Sequence, residues 1–306
     1  MLTEQFKAQI AKGVQEYLDA HREAGMSQAK IAKMCDIKSQ PYIGYILAGQ
    51  WDAVPGGSSL GRISDSVFLR LQQGLGLRMN LFETDNFMAL TDCLMTAKVN
   101  HQWRIADGLK GTGKSFAAEE FARKNPKETF LVQGKRNMNQ KEFMQAIARA
   151  IGANDQGTPY RIGQAIAERL LTMTYPLLII DEAETLFKRN SEGGFAGLKD
   201  LYDDVKKRCA VVLIGANKFR EALEKRANNL TGCFPQLYLR CKANGLELAR
   251  LSREDVALIG PAYGVTAKKE LDFLFDTMTD FRELFDTLEQ RQADAVMAAK
   301  RLQKAA

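Results

Sequence analysis

From Glu4 to Ala20 apolar side chains recur at helical spacing, with Phe6, Ile10, Val14 and Leu18 on one face of a predicted helix. A compact unit follows. Ser27 can cap a helix carrying Ile31, Ala32 and Met34, Cys35-Asp36-Ile37 makes a turn, and Ser39 and Pro41 open a second helix with Ile43, Ile46 and Leu47 that ends near Gly49. Val54 to Ser59 carries turn chemistry, and Leu60 to Gln73 returns to amphipathic spacing. Gly74 to Asn86, with glycines at 74 and 76, is the predicted hinge, and Phe87 to Ala97 is a helix leading out of it.

Past that helix, short apolar runs alternate with helical periods. Strands are predicted over 103–107, 129–132, 175–181 and 210–217, and helices over 116–122, 141–151, 161–173 and 200–208. This βαβα order requires a parallel sheet, since parallel neighbours need a crossover helix. From Leu246 onward the spacing is helical with no further strand signal. The expected class is α/β, a parallel-sheet domain over 87–243, preceded by an all-α helix-turn-helix domain over 1–73 and a hinge over 74–86, and followed by a helical lid over 244–306.

Composition narrows the chemistry. At 306 residues, 26% charged and 45% hydrophobic, the chain suits about two soluble globular domains. It contains no apolar run near the roughly 20 residues of a membrane span, and Met1 to Lys7 lacks a signal-peptide core, so a cytoplasmic protein without a membrane partner is expected. Five scattered cysteines, never spaced C-x-x-C, and only His21 and His101 leave little for a disulfide framework, a zinc site or a serine-histidine triad. The net charge of +6 is uneven: residues 1–85 carry nine basic against nine acidic side chains, 241–306 ten against eleven, and 86–240 carry 24 against 17. The basic surplus lies in the predicted sheet domain, where a phosphate-backbone contact would need it.

The octapeptide Gly108-Leu109-Lys110-Gly111-Thr112-Gly113-Lys114-Ser115, followed by Phe116, fits G-x-x-x-x-G-K-[ST]. Glycines there let backbone N–H groups turn inward on a phosphate, the lysine reaches the β- and γ-phosphates, and the hydroxyl ligates Mg²⁺. A predicted strand before it and a helix after it supply the required order, so a nucleoside triphosphate with Mg²⁺ is the expected ligand. The apolar run from Tyr175 ends in Asp181 and Glu182, as a buried strand does when its tip faces a metal-bound nucleotide. Asp181 would hold the metal together with Ser115, and Glu182 would polarise the attacking water. Asn217, at the end of the next apolar run, could bond that water or the γ-phosphate, or serve as an ordinary turn residue.

Residues 27–49 resemble the small repressor-type helix-turn-helix, in which Lys38, Ser39, Gln40 and Tyr42 would face a major groove; the balanced charge of the segment leaves protein docking open. With both nucleotide motifs, the Asn-tipped strand and the helical tail, the chain resembles AAA+ ATPases. The finer resemblance is to transposition ATPases of the bacteriophage Mu B type, related to the IstB and TnsC helpers. Carrying it are the helix-turn-helix, the stretch Leu178 to Leu186, and Phe281-Arg282-Glu283-Leu284 with Leu288.

That resemblance implies a ring or helical filament of copies on duplex DNA, which recruits a transposase and releases DNA on hydrolysis. It assigns Lys114, Asp181, Glu182 and Asn217 to catalysis and Arg282 to a lid contact with the γ-phosphate. Arginine is expected near Gln236; its absence leaves Arg226 and Arg240 as substitutes for the cation that a neighbouring subunit supplies. Lys135 and Arg136, then Lys188 and Arg189, are the expected contacts to DNA phosphates, with Lys38 and Gln40 from the helix-turn-helix. A helicase-loader or replication-initiator ATPase and an ATP-switched transcription regulator are the alternatives.

Overall fold

A computed structural model describes residues 4–52, 54, 61–77, 81–187, 192–205, 207–291 and 294. The chain divides into two compact units, Met1–Leu81 with Arg123–Pro126, and Phe82–Ala122 with Lys127–Ala306.

The first unit holds α1 (Glu4–Ala20), α2 (Gln28–Met34), α3 (Pro41–Leu47) and α4 (Asp65–Gly74). Ile10 and Val14 of α1, Ile31 of α2, Ile43 and Ile46 of α3 and Phe68 and Leu71 of α4 form one buried core. Ser27 caps α2 by accepting from the Lys30 amide. Asp36 takes a left-handed φ of 51° in the turn between the two short helices. Trp51 meets Phe68 edge-on, with 5.8 Å between ring centroids, and donates from Nε1 to Glu4 Oε2 at 2.8 Å. Leu75 and Leu77, expected in a hinge, are buried in this same core. The stretch expected as a turn over 54–59 falls, apart from residue 54, outside the described residues.

In the second unit α5 (Asp85–Asn100) leads into β1 (Trp103–Gly108), α6 (Lys114–Lys124), β2 (Thr129–Gln133), α7 (Gln140–Ile151), α8 (Pro159–Leu171), β3 (Leu177–Asp181), α9 (Gly194–Val205) and β4 (Ala210–Ile214). Then come α10 (Phe219–Asn228), α11 (Phe234–Cys241) and β5 (Leu246–Leu248). The sheet has the order β2-β3-β4-β1-β5, every pair parallel. Its central strands β3 and β4 are buried along their whole length, which is why they read as unbroken apolar runs. Alternate residues supply opposite faces: Leu178, Ile180, Val211 and Leu213 pack with α7 to α11, and Leu177, Ile179, Ala210 and Val212 with α5 and α6.

One expectation is overturned by β5. The tail from Leu246 is not all helical: Leu246 to Leu248 pairs with Ala106 to Gly108 and completes the sheet edge. Three residues are too few to display a period, and this strand exists because β1 offers a free edge to its backbone. The helical tail therefore starts after it, with α12 (Arg253–Ile259), a short 3₁₀ turn, α13 (Lys268–Thr277) and α14 over 281–291. Leu251, Val256, Ile259, Leu274, Leu284 and Leu288 form its own small core, against which Phe82 and Phe285 pack.

Candidate nucleotide site

The loop between β1 and α6 is built around its lysine. Gly111 and Gly113 have φ of 77° and 84°, a region costly for other residues, and so turn the backbone toward the first turn of α6. Lys114 is only 8% exposed, and its Nζ donates to Gly108 O at 3.0 Å, Leu109 O at 2.6 Å and Thr112 Oγ1 at 3.1 Å. Burial holds its pKa below the ordinary lysine value, against the opposing pull of Asp107, Asp181 and Glu184. One ammonium group thus feels carboxylates from β1, β3 and the turn after β3. Leu109, Lys110, Ser115 and Phe116 are exposed around it.

Two further elements hold the loop. Asn86, buried in the first turn of α5, donates to Thr112 O at 3.3 Å and Ala249 O at 2.9 Å and accepts from Ala249 N at 3.0 Å, so a single amide joins the loop to the chain leaving β5. From the lid, Phe281 N donates to Gly111 O at 3.1 Å, and the Asp280 carboxylate lies where a Cβ on residue 111 would be. Arg282, in the same first turn of α14, is exposed and one residue from that contact.

Parallel register brings the other candidates to the same rim. Ile180 pairs with Leu213 and Leu213 with Ile105, so the residues that follow, Asp181, Ile214 and Ala106, form the last row across three neighbouring strands. Asp181 is buried and accepts from the Glu182 amide at 2.8 Å through Oδ1. Glu182 is exposed in a left-handed conformation, φ 51°, as are Asn217 and Lys218, φ 56° and 65°, just beyond β4. Non-glycine residues there cost on the order of 1 kcal/mol or more each, and such strain gathers at functional sites. Ser115 and Asp181 offer a hydroxyl and a carboxylate, hard oxygen donors that suit Mg²⁺.

Two carboxylates at this rim carried no expectation. Asp107 accepts from Gly108 N at 2.8 Å and from Arg220 N at 3.0 Å. Glu184 accepts from Ala216 N at 3.1 Å; burial, then its neighbours Glu182 and Asp181, push its pKa up. Asn86 carried none either. No local motif marks any of the three, because each acts on backbone distant in sequence.

The basic candidates fall in different settings. Lys135 and Arg136 are exposed on the loop between β2 and α7, whose start is fixed by a capping box of Asn139 and Glu142. That loop abuts the acid strand, since Gly134 N donates to Asp181 O at 2.7 Å. Lys188 and Arg189 lie outside the described residues. Arg240 pairs with Asp203 at 2.6 Å and stacks on Tyr202 at 3.8 Å from the ring centroid. Arg226 lies 4.0 Å from the Phe187 ring centroid and donates to Ala222 O at 3.3 Å. Lys38 and Gln40, in the first unit, are exposed just ahead of α3. Among the described residues no helix is long and apolar enough to cross a membrane.

No curated protein matches the chain. Among solved structures, the Orc1 protein of Aeropyrum pernix in complex with DNA is similar at 16% identity and a TM-score of 0.49, covering 72% of this chain and 61% of that one. This chain thus spans under two thirds of that protein's length. A Walker-type ATPase of Pyrococcus abyssi, PABY2304, is similar at 14% identity and a TM-score of 0.48, covering 75% and 77%. The family model of the AAA domain matches residues 104–223. That span runs from β1 into α10 and takes in the glycine loop, the acid strand and the Asn217 turn, and the parallel sheet described above has the AAA+ P-loop NTPase fold.

Proposed function

We propose that this protein is a Mg²⁺-dependent ATPase that assembles on duplex DNA and serves as a target-selecting and transposase-activating helper in transposition. The observation that carries the ATPase reading is the buried Lys114, coupled to Asp107, Asp181 and Glu184 at the rim where β1, β4 and β3 end. A triphosphate entering there would exchange the lysine's carbonyl partners for phosphate oxygens, a charge-assisted and stronger interaction. Mg²⁺, held by Ser115 and Asp181, would supply charge neutralisation of the phosphates. Glu182 orients the attacking water, Asn217 contacts it or the γ-phosphate, and Arg282 closes from the lid.

Arg226 is the better substitute for a trans-acting cation. Arg240 is already neutralised by Asp203, whereas Arg226 rests on the faces of Phe187 and Phe234 with no carboxylate among its described partners. Lys135 and Arg136 would contact DNA phosphates, so binding is expected to ignore sequence and to weaken with salt. The transposition role rests on the resemblance to Mu B-type ATPases.

Electron microscopy with ATP, with and without arbitrary duplex DNA, tests the reading. Helical or ring coats on any duplex, persisting in Glu182→Gln, support it. Discrete dimers on a single sequence would instead point to a transcription regulator, and a closed ring that loads a helicase to a replication ATPase.

A further inference from the structure

Asn217 projects from the four-residue turn, 215–218, that joins β4 to α10, and among the described residues no side chain of that turn hydrogen-bonds the turn's own backbone. Lys218, at the N-cap of α10, makes no side-chain cap bond, and both Asn217 and Lys218 are left-handed. Two carboxylates from other elements, β1 and the turn after β3, hold it instead. On the acid-strand side Glu184 Oε2 accepts from Ala216 N, the amide just before Asn217. On the phosphate-loop side Asp107 Oδ2 accepts from Arg220 N, in the first turn of α10. Behind the turn, Gly215 N donates to Ala106 O at 2.9 Å, and a Cβ on residue 215 would overlap the Phe219 ring.

The two anchors sit beside different motifs. Asp107 immediately precedes Gly108, the first glycine of the loop, and Glu184 is two residues past Glu182. A desolvated carboxylate is costly, and Glu184 shows that cost in its raised pKa. Packing alone would be served as well by an apolar side chain, so the acceptor is what the position requires. We infer that Glu184 is a positioning residue, which fixes Asn217 in register with the acid pair by gripping Ala216 N, with Asp107 as its counterpart on the phosphate-loop side. The inference rests on the ATPase reading and on the role proposed for Asn217.

The test uses the full chain and two variants of similar side-chain length, Glu184→Gln, which keeps an acceptor for Ala216 N, and Glu184→Met, which removes it. Steady-state ATP hydrolysis, nucleotide affinity from a fluorescent ATP analogue and thermal melting are measured for each, alone and combined with Asn217→Ala. Glu184→Met should lower kcat by up to about 100-fold, the scale of a small misplacement of a reacting group, and leave nucleotide affinity within about twofold. Glu184→Gln should restore most of kcat, and Glu184→Met with Asn217→Ala should be no slower than Asn217→Ala alone, as for residues acting as one unit. Multiplicative losses in the double variant overturn the inference, as does wild-type kcat in Glu184→Met beside an impaired Asn217→Ala. Should Glu184→Met not fold, a Glu184→Gln enzyme that folds but loses turnover overturns it as well. Normal turnover in Asn217→Ala would remove the proposed role of Asn217, and the anchor's purpose with it, whereas absence of hydrolysis in the wild type would strike the ATPase reading itself.

Discussion

Single residues at this cleft are of two kinds, those whose chemistry is written in a local motif and those defined by a remote backbone partner. The placement of Lys114 just after β1 and of Asp181 and Glu182 at the end of β3 is legible in the sequence because motif spacing within a few residues fixes the loop and the strand tip. Asn86, Asp107 and Glu184 are not, since their partners Ala249, Arg220 and Ala216 are brought close only by the sheet. Arg240 shows the converse: its charge is visible in the sequence, its commitment to Asp203 is not. Glu184 also makes a stability prediction. Because burial raises its pKa above the ordinary 4.5, the folded chain holds this proton more tightly than the unfolded chain does. Its contribution to stability is therefore complete below the unfolded pKa and lost as pH rises through the folded value. Glu184→Gln, always neutral and still an acceptor, should melt close to wild type at pH 4 and above it at pH 7.5. A gap of equal size at both pH values would contradict the assignment.

At the scale of elements, most of the architecture was foreseeable. The fully buried β3 and β4 gave unbroken apolar runs, and α1, α7 and α8 gave clear helical periods. The exceptions are physical. Leu246 to Leu248 is a strand through its partner β1, and the turn after α4 packs Leu75 and Leu77 into the first unit's core despite its glycines. The β2–α7 loop carries the element-scale prediction. Lys135 and Arg136 are exposed there, directly beside the Asp181 strand through Gly134. Replacing both by alanine should weaken duplex DNA binding and flatten its log–log salt dependence by about 0.9 per lost phosphate contact. ATP affinity should be unchanged. Fluorescence anisotropy at stepped salt concentrations measures this, and an unaltered slope would move the DNA contact elsewhere.

For the whole molecule, five parallel strands order three of their C-terminal ends so that a glycine loop, an acid pair and an asparagine turn meet. A helical lid touches the loop at Gly111. The separate all-helical unit has its own core and brings exposed Lys38 and Gln40. Under the proposed function nucleotide is the input, and everything proposed about DNA, assembly and transposition depends on it. Isothermal titration of MgATP into the full chain and into Lys114→Ala tests that most directly: one nucleotide should bind per wild-type chain and none measurably to the variant. Equal uptake by the two proteins, or no uptake by the wild type, would contradict it.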